Sequence, residues 1–162
     1  MNKKAIIVVD YQYDFVDPKG SLYVNESEKI KEYIIKLLEN NPDYIKIATR
    51  DWHPIDHCSF TRWKPHCIQN TLGAQLMIPT NLFDKIIDKG IFQDADSYSG
   101  FYDEKGRDNG LDQYLKNHNV KDVVIVGVAL DVCVSATFKD AIKLNYNASI
   151  DLNGTKGIQF KI

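Results

Sequence analysis

The sequence lacks any apolar run near the roughly 18 to 20 residues that cross a bilayer. Its longest, around "VVIVGVAL", has the length of a buried strand. Two lysines stand near the amino terminus, but only five apolar residues follow before Asp10. That is too few for the core of a signal peptide. No basic face stands out either: 20 Lys and Arg against 22 Asp and Glu leave a formal charge of −2, with both signs interspersed. Phosphate neutralisation by a basic surface is thereby disfavoured, so neither nucleic acid nor membrane is expected as a partner. Cysteine is scarce and odd in number, three residues without the dense even spacing of a disulfide framework. The expected compartment is the reducing cytoplasm, with the thiols free, metal-bound or catalytic. Repeats, low-complexity tracts and linkers are also missing, so a single domain over residues 1–162 is expected.

Within this ordinary composition, strand-like and helix-like segments alternate. "KAIIVVD" (4–10) is a continuous apolar run ending in an acid, as a strand buried on both faces would be. "NESEKIKEYIIKLLENN" follows, with Asn25 and Glu28 spaced as a capping box. Its Ile30, Tyr33, Ile34, Leu37 and Leu38 repeat at helical spacing and are expected inward. "YIKIATRD" (44–51) is a second strand, and "NLFDKIIDKG" holds a third that ends at Lys89. "GLDQYLKNHN" is a helix with Leu111, Tyr114 and Leu115 inward, "DVVIVGVAL" (122–130) the clearest strand, and "VCVSATFKDAIKLNY" a helix. "NASIDL" supplies a fifth strand. This alternation predicts an α/β fold, a doubly wound parallel sheet flanked by helices in three layers. Ligands of such sheets sit outside the carboxyl ends of the strands. That edge would gather Asp10, Asp51 with His53, Lys89, and Cys133 just beyond Leu130.

Each of these has a bland reading and a chemical one. Cys133 taken alone is a small buried hydrophobe. At a strand-to-helix turn, however, free amides are expected to lower its pKa and to hold an oxyanion. Asp10 and Lys89 brought to the same edge could supply a base and a cation. "TRDWHPIDHCSFTRWKPHC" (49–67) crowds three of the four histidines with two of the three cysteines. Asp51 and His53, two apart in extended chain, project to one side, and His66 could return to them. Such a carboxylate and imidazole set suits Zn, Fe or Mn with positions left open, and His57 is a fourth ligand or a neighbour of the set. A closed zinc site recruiting Cys58 and Cys67 is the competing reading, against which stands the absence of paired C-x2-C spacing. Phe15, Trp63, Tyr98 and Phe101 lie in loops, where large aromatics mark a flat-ligand pocket or cover the core.

In this order "VVDYQYDF", "TRDWHPIDHCSF", "WKPHCIQNTLGAQL", "DKG" with "DSYSGF", and "GVALDVCV" resemble the nicotinamidase branch of the isochorismatase-like cysteine hydrolases. The resemblance covers residues 4–150, nearly the whole chain. It implies a catalytic triad of Asp10, Lys89 and Cys133, and an oxyanion hole from the amides of Ala129 and Cys133 beside a cis Val128–Ala129 bond. It also implies one divalent metal, zinc foremost with Fe or Mn as alternatives, on Asp51, His53 and His66. His57 falls where some members place an additional ligand. Phe15, Trp63 and Tyr98 fall where the family lines its nicotinamide pocket. The implied reaction converts nicotinamide to nicotinate and ammonia in NAD salvage.

Two departures qualify the likeness. Leu130 stands where a small or hydroxyl residue is common, and the chain stops at "DLNGTKGIQFKI" where the family continues through a helix and a strand. The fold is therefore expected to be C-terminally short, with a sheet edge open to a partner chain and homo-oligomerisation undecided. Alternatives of two kinds stay open: a cysteine hydrolase acting on another small amide, and an inactive domain that binds metal or a partner.

Overall fold

Five strands form one sheet in a computed structural model that describes residues 2–158. Met1 and residues 159–162, the ends of the expected 1–162 domain and of the "DLNGTKGIQFKI" stretch, lie outside the described residues. The strands are β1 (Lys3–Val9), β2 (Ile45–Asp51), β3 (Lys85–Lys89), β4 (Val120–Val128) and β5 (Asn147–Lys156). All pairings are parallel and the order is β3-β2-β1-β4-β5. The order reverses between β1 and β4, which creates a crevice where their carboxyl ends diverge.

Alternation along β1 explains the layers. Ile6 and Val8 face a cluster with Ile30, Ile34 and Leu38, contributed by α2 (Lys31–Glu39) and the 3-10 turn before it. Ala5, Ile7 and Val9 face the opposite cluster, built with Leu111 and Leu115 of α3 (Leu111–Asn117) and Ala141 of α4 (Ser135–Lys143). A strand buried on both faces must be apolar throughout, which is why β1 and β4 stand out in the sequence. The expected three-layer, doubly wound architecture is thus present. Among the described residues no helix is long and apolar enough to cross a membrane.

Several local expectations fail for identifiable reasons. Asn25 and Glu28 form no capping box: Glu26 precedes the 3-10 turn Ser27–Ile30 with no side-chain cap, and Glu28 instead accepts the Tyr23 hydroxyl at 2.5 Å. Tyr33 does not face inward but lies exposed, its hydroxyl donating to Asp151 at 2.5 Å. A four-residue helix, α1 (Tyr13–Val16), not expected from the sequence pattern, follows β1. Finally, β5 outruns "NASIDL": Ile125 pairs with Ile150 but Gly127 with Thr155, so an irregularity absorbs the extra residues.

Candidate active site

β1 and β4 approach closely just before the crevice, and a glycine permits it. Gly127 has φ +112, and a Cβ there would lie 2.2 Å from the Val9 carbonyl oxygen. Beyond it the Val128–Ala129 bond is cis, and the chain enters a π-turn, Leu130–Val134, that delivers Cys133 ahead of α4. Asp10, one residue past β1, turns out of the strand with φ +50. Asp10, Lys89 and Cys133 are all buried at this edge. Lys89 Nζ lies 2.9 Å from Asp10 Oδ2 and 3.6 Å from Cys133 Sγ. The three residues expected at one edge are therefore together.

The electrostatics of this group follow from burial and from two carboxylates around one ammonium. Burial pushes Asp10 up to about 6; Lys89 pulls against that, and Asp51 adds to it. The Thr49 hydroxyl donates to Asp10 Oδ1 at 2.8 Å, favouring the charged form. Lys89 stays charged because Asp10 and Asp51 outweigh the cost of its burial. Cys133 is corrected relative to expectation. Burial raises its thiol well above the usual value and Lys89 only partly offsets this, with Asp10 and Asp51 adding to the rise. A thiol at a helix start would be acidified by backbone amides, but here desolvation and neighbouring carboxylates win. The resting group is a buried thiol 3.6 Å from the Lys89 ammonium, which in turn lies 2.9 Å from Asp10, so its activation requires a base.

A second cluster lies alongside. Ligand atoms of Asp51, His53 and His66 fall within 4.8 Å of one another, all buried. Each imidazole uses its Nδ1 on a backbone carbonyl: His53 on Gly90 at 2.7 Å and His66 on Lys64 at 2.7 Å. Those bonds fix the tautomers and turn both Nε2 lone pairs toward Asp51 Oδ2, 3.5 Å from His53 and 3.8 Å from His66. His53 Nε2 is buried without a hydrogen bond of ordinary geometry. An orphaned buried acceptor beside a carboxylate is what a divalent cation would satisfy, so the donor set fits a metal.

His57 lies next to this set rather than in it. Its ring stacks on His53 with centroids 3.9 Å apart, and its nitrogens engage Ala95 O at 2.9 Å and Ser59 Oγ at 2.7 Å. With His53 and Asp96 it forms a second group of adjacent ligand atoms. Neither cysteine of the opening stretch joins either group. Cys67 is buried with its thiol near Gly73 O at 3.7 Å, and Cys58 is half-buried. A closed His and Cys zinc site is not formed.

Between the two clusters opens a cavity of about 440 Å³. Phe15, Trp63 and Tyr98 line it together with Asp51, His66 and Cys133, and Ala129 lies on the same wall. Phe101 is absent from the cavity; it is wholly buried in the core and stacks on Tyr146. Of the four aromatics expected in loops, three reach the cavity, Phe15 from α1 rather than from a loop, and Phe101 serves packing.

Three groups had no signal in the sequence. Gln12 is fully buried; its amide donates to Asp51 O at 2.8 Å and its Oε1 accepts from Asp51 N at 2.9 Å. It thus fixes the backbone of the carboxylate from both sides. Thr49 supports Asp10, and Asp96 lines the cavity. Each looks like an ordinary turn or strand-end residue until the strands are laid side by side.

Comparison with known proteins agrees with this arrangement. Residues 4–159 match the isochorismatase domain family. The nicotinamidase of Saccharomyces cerevisiae is 34% identical over 96% of this chain and 88% of that protein. Among solved structures, PnC1 from L. infantum in complex with nicotinate superposes with a TM-score of 0.94, at 36% identity over 98% of this chain and 83% of that one. The pyrazinamidase of Pyrococcus horikoshii in complex with zinc gives 0.89, at 37% identity over 97% and 88%.

Proposed function

The chain belongs to the isochorismatase family, and from that premise we propose that it is a nicotinamidase, hydrolysing nicotinamide to nicotinate and ammonia through Cys133. The observation that carries the reading is a buried thiol and a buried carboxylate gathered by one ammonium beside an aromatic-lined cavity. Full-length similarity to a nicotinamidase supports it, as does a fold shared with a nicotinate complex.

Phe15, Trp63 and Tyr98 would bracket the pyridine ring, and positioning of this kind makes attack effectively unimolecular. Asp51, His53 and His66 would hold one divalent metal, with zinc favoured by the two nitrogens and one oxygen offered and by the zinc-bound relative. Bound there, the ion supplies a Lewis-acidic position for the ring nitrogen.

With the ring held, Asp10 takes the proton of Cys133 as Sγ attacks the amide carbon. The amides of Ala129 and Cys133 receive the negative charge of the carbonyl oxygen. As the C–N bond breaks, Asp10 returns its proton to the departing nitrogen, which leaves as ammonia, and a thioester remains. Water then gives a proton to Asp10 and attacks the thioester carbon; the C–S bond breaks, nicotinate leaves and the thiol recovers its proton. Lys89 keeps Asp10 ionised before the reaction and stabilises the sulfur charge during it. Supplying nicotinate for NAD salvage is the consequence of this reaction.

The test is product balance. Zinc-loaded protein given nicotinamide should release ammonia and nicotinate in equal amounts. Nicotinamide left intact by folded, metal-loaded protein would rule the reading out.

A further inference from the structure

Trp63 and Tyr98 face the same cavity from different loops, one after β2 and the other after β3, and neither sits in an α-helix or a strand. One backbone bond, Cys58 N to Gln93 O at 2.9 Å, joins the two loops, and nearer the cavity side chains hold the two rings to each other. Trp63 Nε1 donates to the Tyr98 hydroxyl oxygen at 3.2 Å. Arg62 Nη1 donates to that same oxygen at 3.4 Å and to Glu104 Oε2 at 3.1 Å, while Nη2 donates to Glu104 Oε1 at 3.1 Å. Glu104 is itself fixed against the segment that carries Tyr98. Asp96 N donates to Glu104 Oε1 at 2.9 Å, and Glu104 N donates to Asp96 O at 2.8 Å. Neither Arg62 nor Glu104 lines the cavity.

The geometry points to a clamp: the forked Arg62–Glu104 pair positions Trp63 and Tyr98, and thereby sets affinity for the substrate ring without touching it. This rests on the reading of the cavity as a nicotinamide pocket. The planar fork matters because it meets two carboxylate oxygens and a hydroxyl at once, which a lysine ammonium at the same site would not. The other ion pairs nearby do not bridge the loops. Lys105 and Arg107 bind Asp94 and Asp103 within the segment that follows β3. Since both clamp side chains are part-exposed, salt weakens the pair. Nicotinamide is neutral, so electrostatic steering adds no salt dependence of its own. Charged Lys64 and Asp96 also line the cavity, so the part of the KM rise with ionic strength that Arg62→Ala removes is the property of the clamp.

The experiment compares Arg62→Ala, Arg62→Lys and Glu104→Gln with a Lys105→Ala control, all zinc-loaded. Arg62→Ala and Glu104→Gln should raise KM for nicotinamide about two- to five-fold, the range of part-exposed ion pairs, with kcat nearly unchanged and the salt response of KM reduced. Arg62→Lys should fall between, and Lys105→Ala should match the parent. In a Trp52→Phe background Trp63 is the sole tryptophan, and Arg62→Ala should red-shift its emission as the ring becomes more hydrated. An unchanged KM in folded variants, a loss confined to kcat, or an unmoved emission would overturn the clamp. If the variants fail to fold, the parent's KM decides by its response to salt, a flat response overturning the proposal. If the parent itself releases no ammonia, the functional reading fails separately and the Trp63 emission alone decides the clamp.

Discussion

The Lys89 ammonium donates to Asp51 Oδ1 at 2.7 Å while standing 2.9 Å from Asp10 Oδ2. One buried cation therefore joins Asp10, the proposed base, to the candidate metal carboxylate, and the two clusters of the cavity are a single electrostatic unit. Burial would raise Asp51, but Lys89 and the facing histidines outweigh it and hold its carboxyl far below the usual range. It is ionised and ready to bind a cation at any pH near neutral.

Removing that cation should damage stability as well as activity. Lys89→Ala leaves two buried carboxylates facing each other, and loss of one partner from a buried pair costs about 3–5 kcal/mol. Urea unfolding of the parent and variant at pH 7 measures this. A loss under 1 kcal/mol would mean that the carboxylates are not held as described.

The pH profile should show Asp10. With its carboxyl at about 6, kcat/KM should fall tenfold per pH unit below 6 and be flat just above it, because the thiol's proton acceptor must be ionised. The stability sign is opposite. A carboxyl raised in the folded state contributes stability below its unfolded value of 3.8, and this is lost as pH rises through about 6. The catalytic form of Asp10 is thus the less stabilising one.

Thr49 tunes that limb. Thr49→Val keeps the shape but removes the hydroxyl that donates to Asp10 Oδ1. The carboxylate form loses a hydrogen bond, so the acid limb of kcat/KM should move upward by about one pH unit at most. A profile that moves downward would contradict the assigned base.

Metal affinity should be controlled from Gly90. This residue has φ +63, and a Cβ on it would lie 2.4 Å from His53 Cε1. Gly90→Ala should displace the His53 ring and its bond to the Gly90 carbonyl, weakening zinc binding about 10- to 100-fold. Competition with a chromogenic chelator gives this directly, without reference to turnover.

The positions of all five strands were legible because parallel strands covered on both faces are apolar throughout, and their chemically active ends follow from that. Where side chains had a choice of partner, the sequence misled. Glu28 took Tyr23 rather than the helix start, and Tyr33 took Asp151 rather than the core. Asp51, His53 and His66 were recognisable by residue type and spacing. The supporting groups Gln12 and Thr49 were not, since their partners lie 39 residues away in sequence and one strand away in space. The direction of the Cys133 shift was missed for a related reason: a helix start is visible in a sequence, whereas the burial that raises the thiol, and the two carboxylates that add to it, arise only in the fold.

The central claim is that Cys133 attacks the amide carbon, and a single comparison tests it. Ammonia release from saturating nicotinamide is measured for the zinc-loaded parent and for Cys133→Ala with matched zinc content and matched unfolding midpoint. The account predicts steady turnover in the parent and none above the uncatalysed background in the variant. Turnover by Cys133→Ala within tenfold of the parent would contradict it.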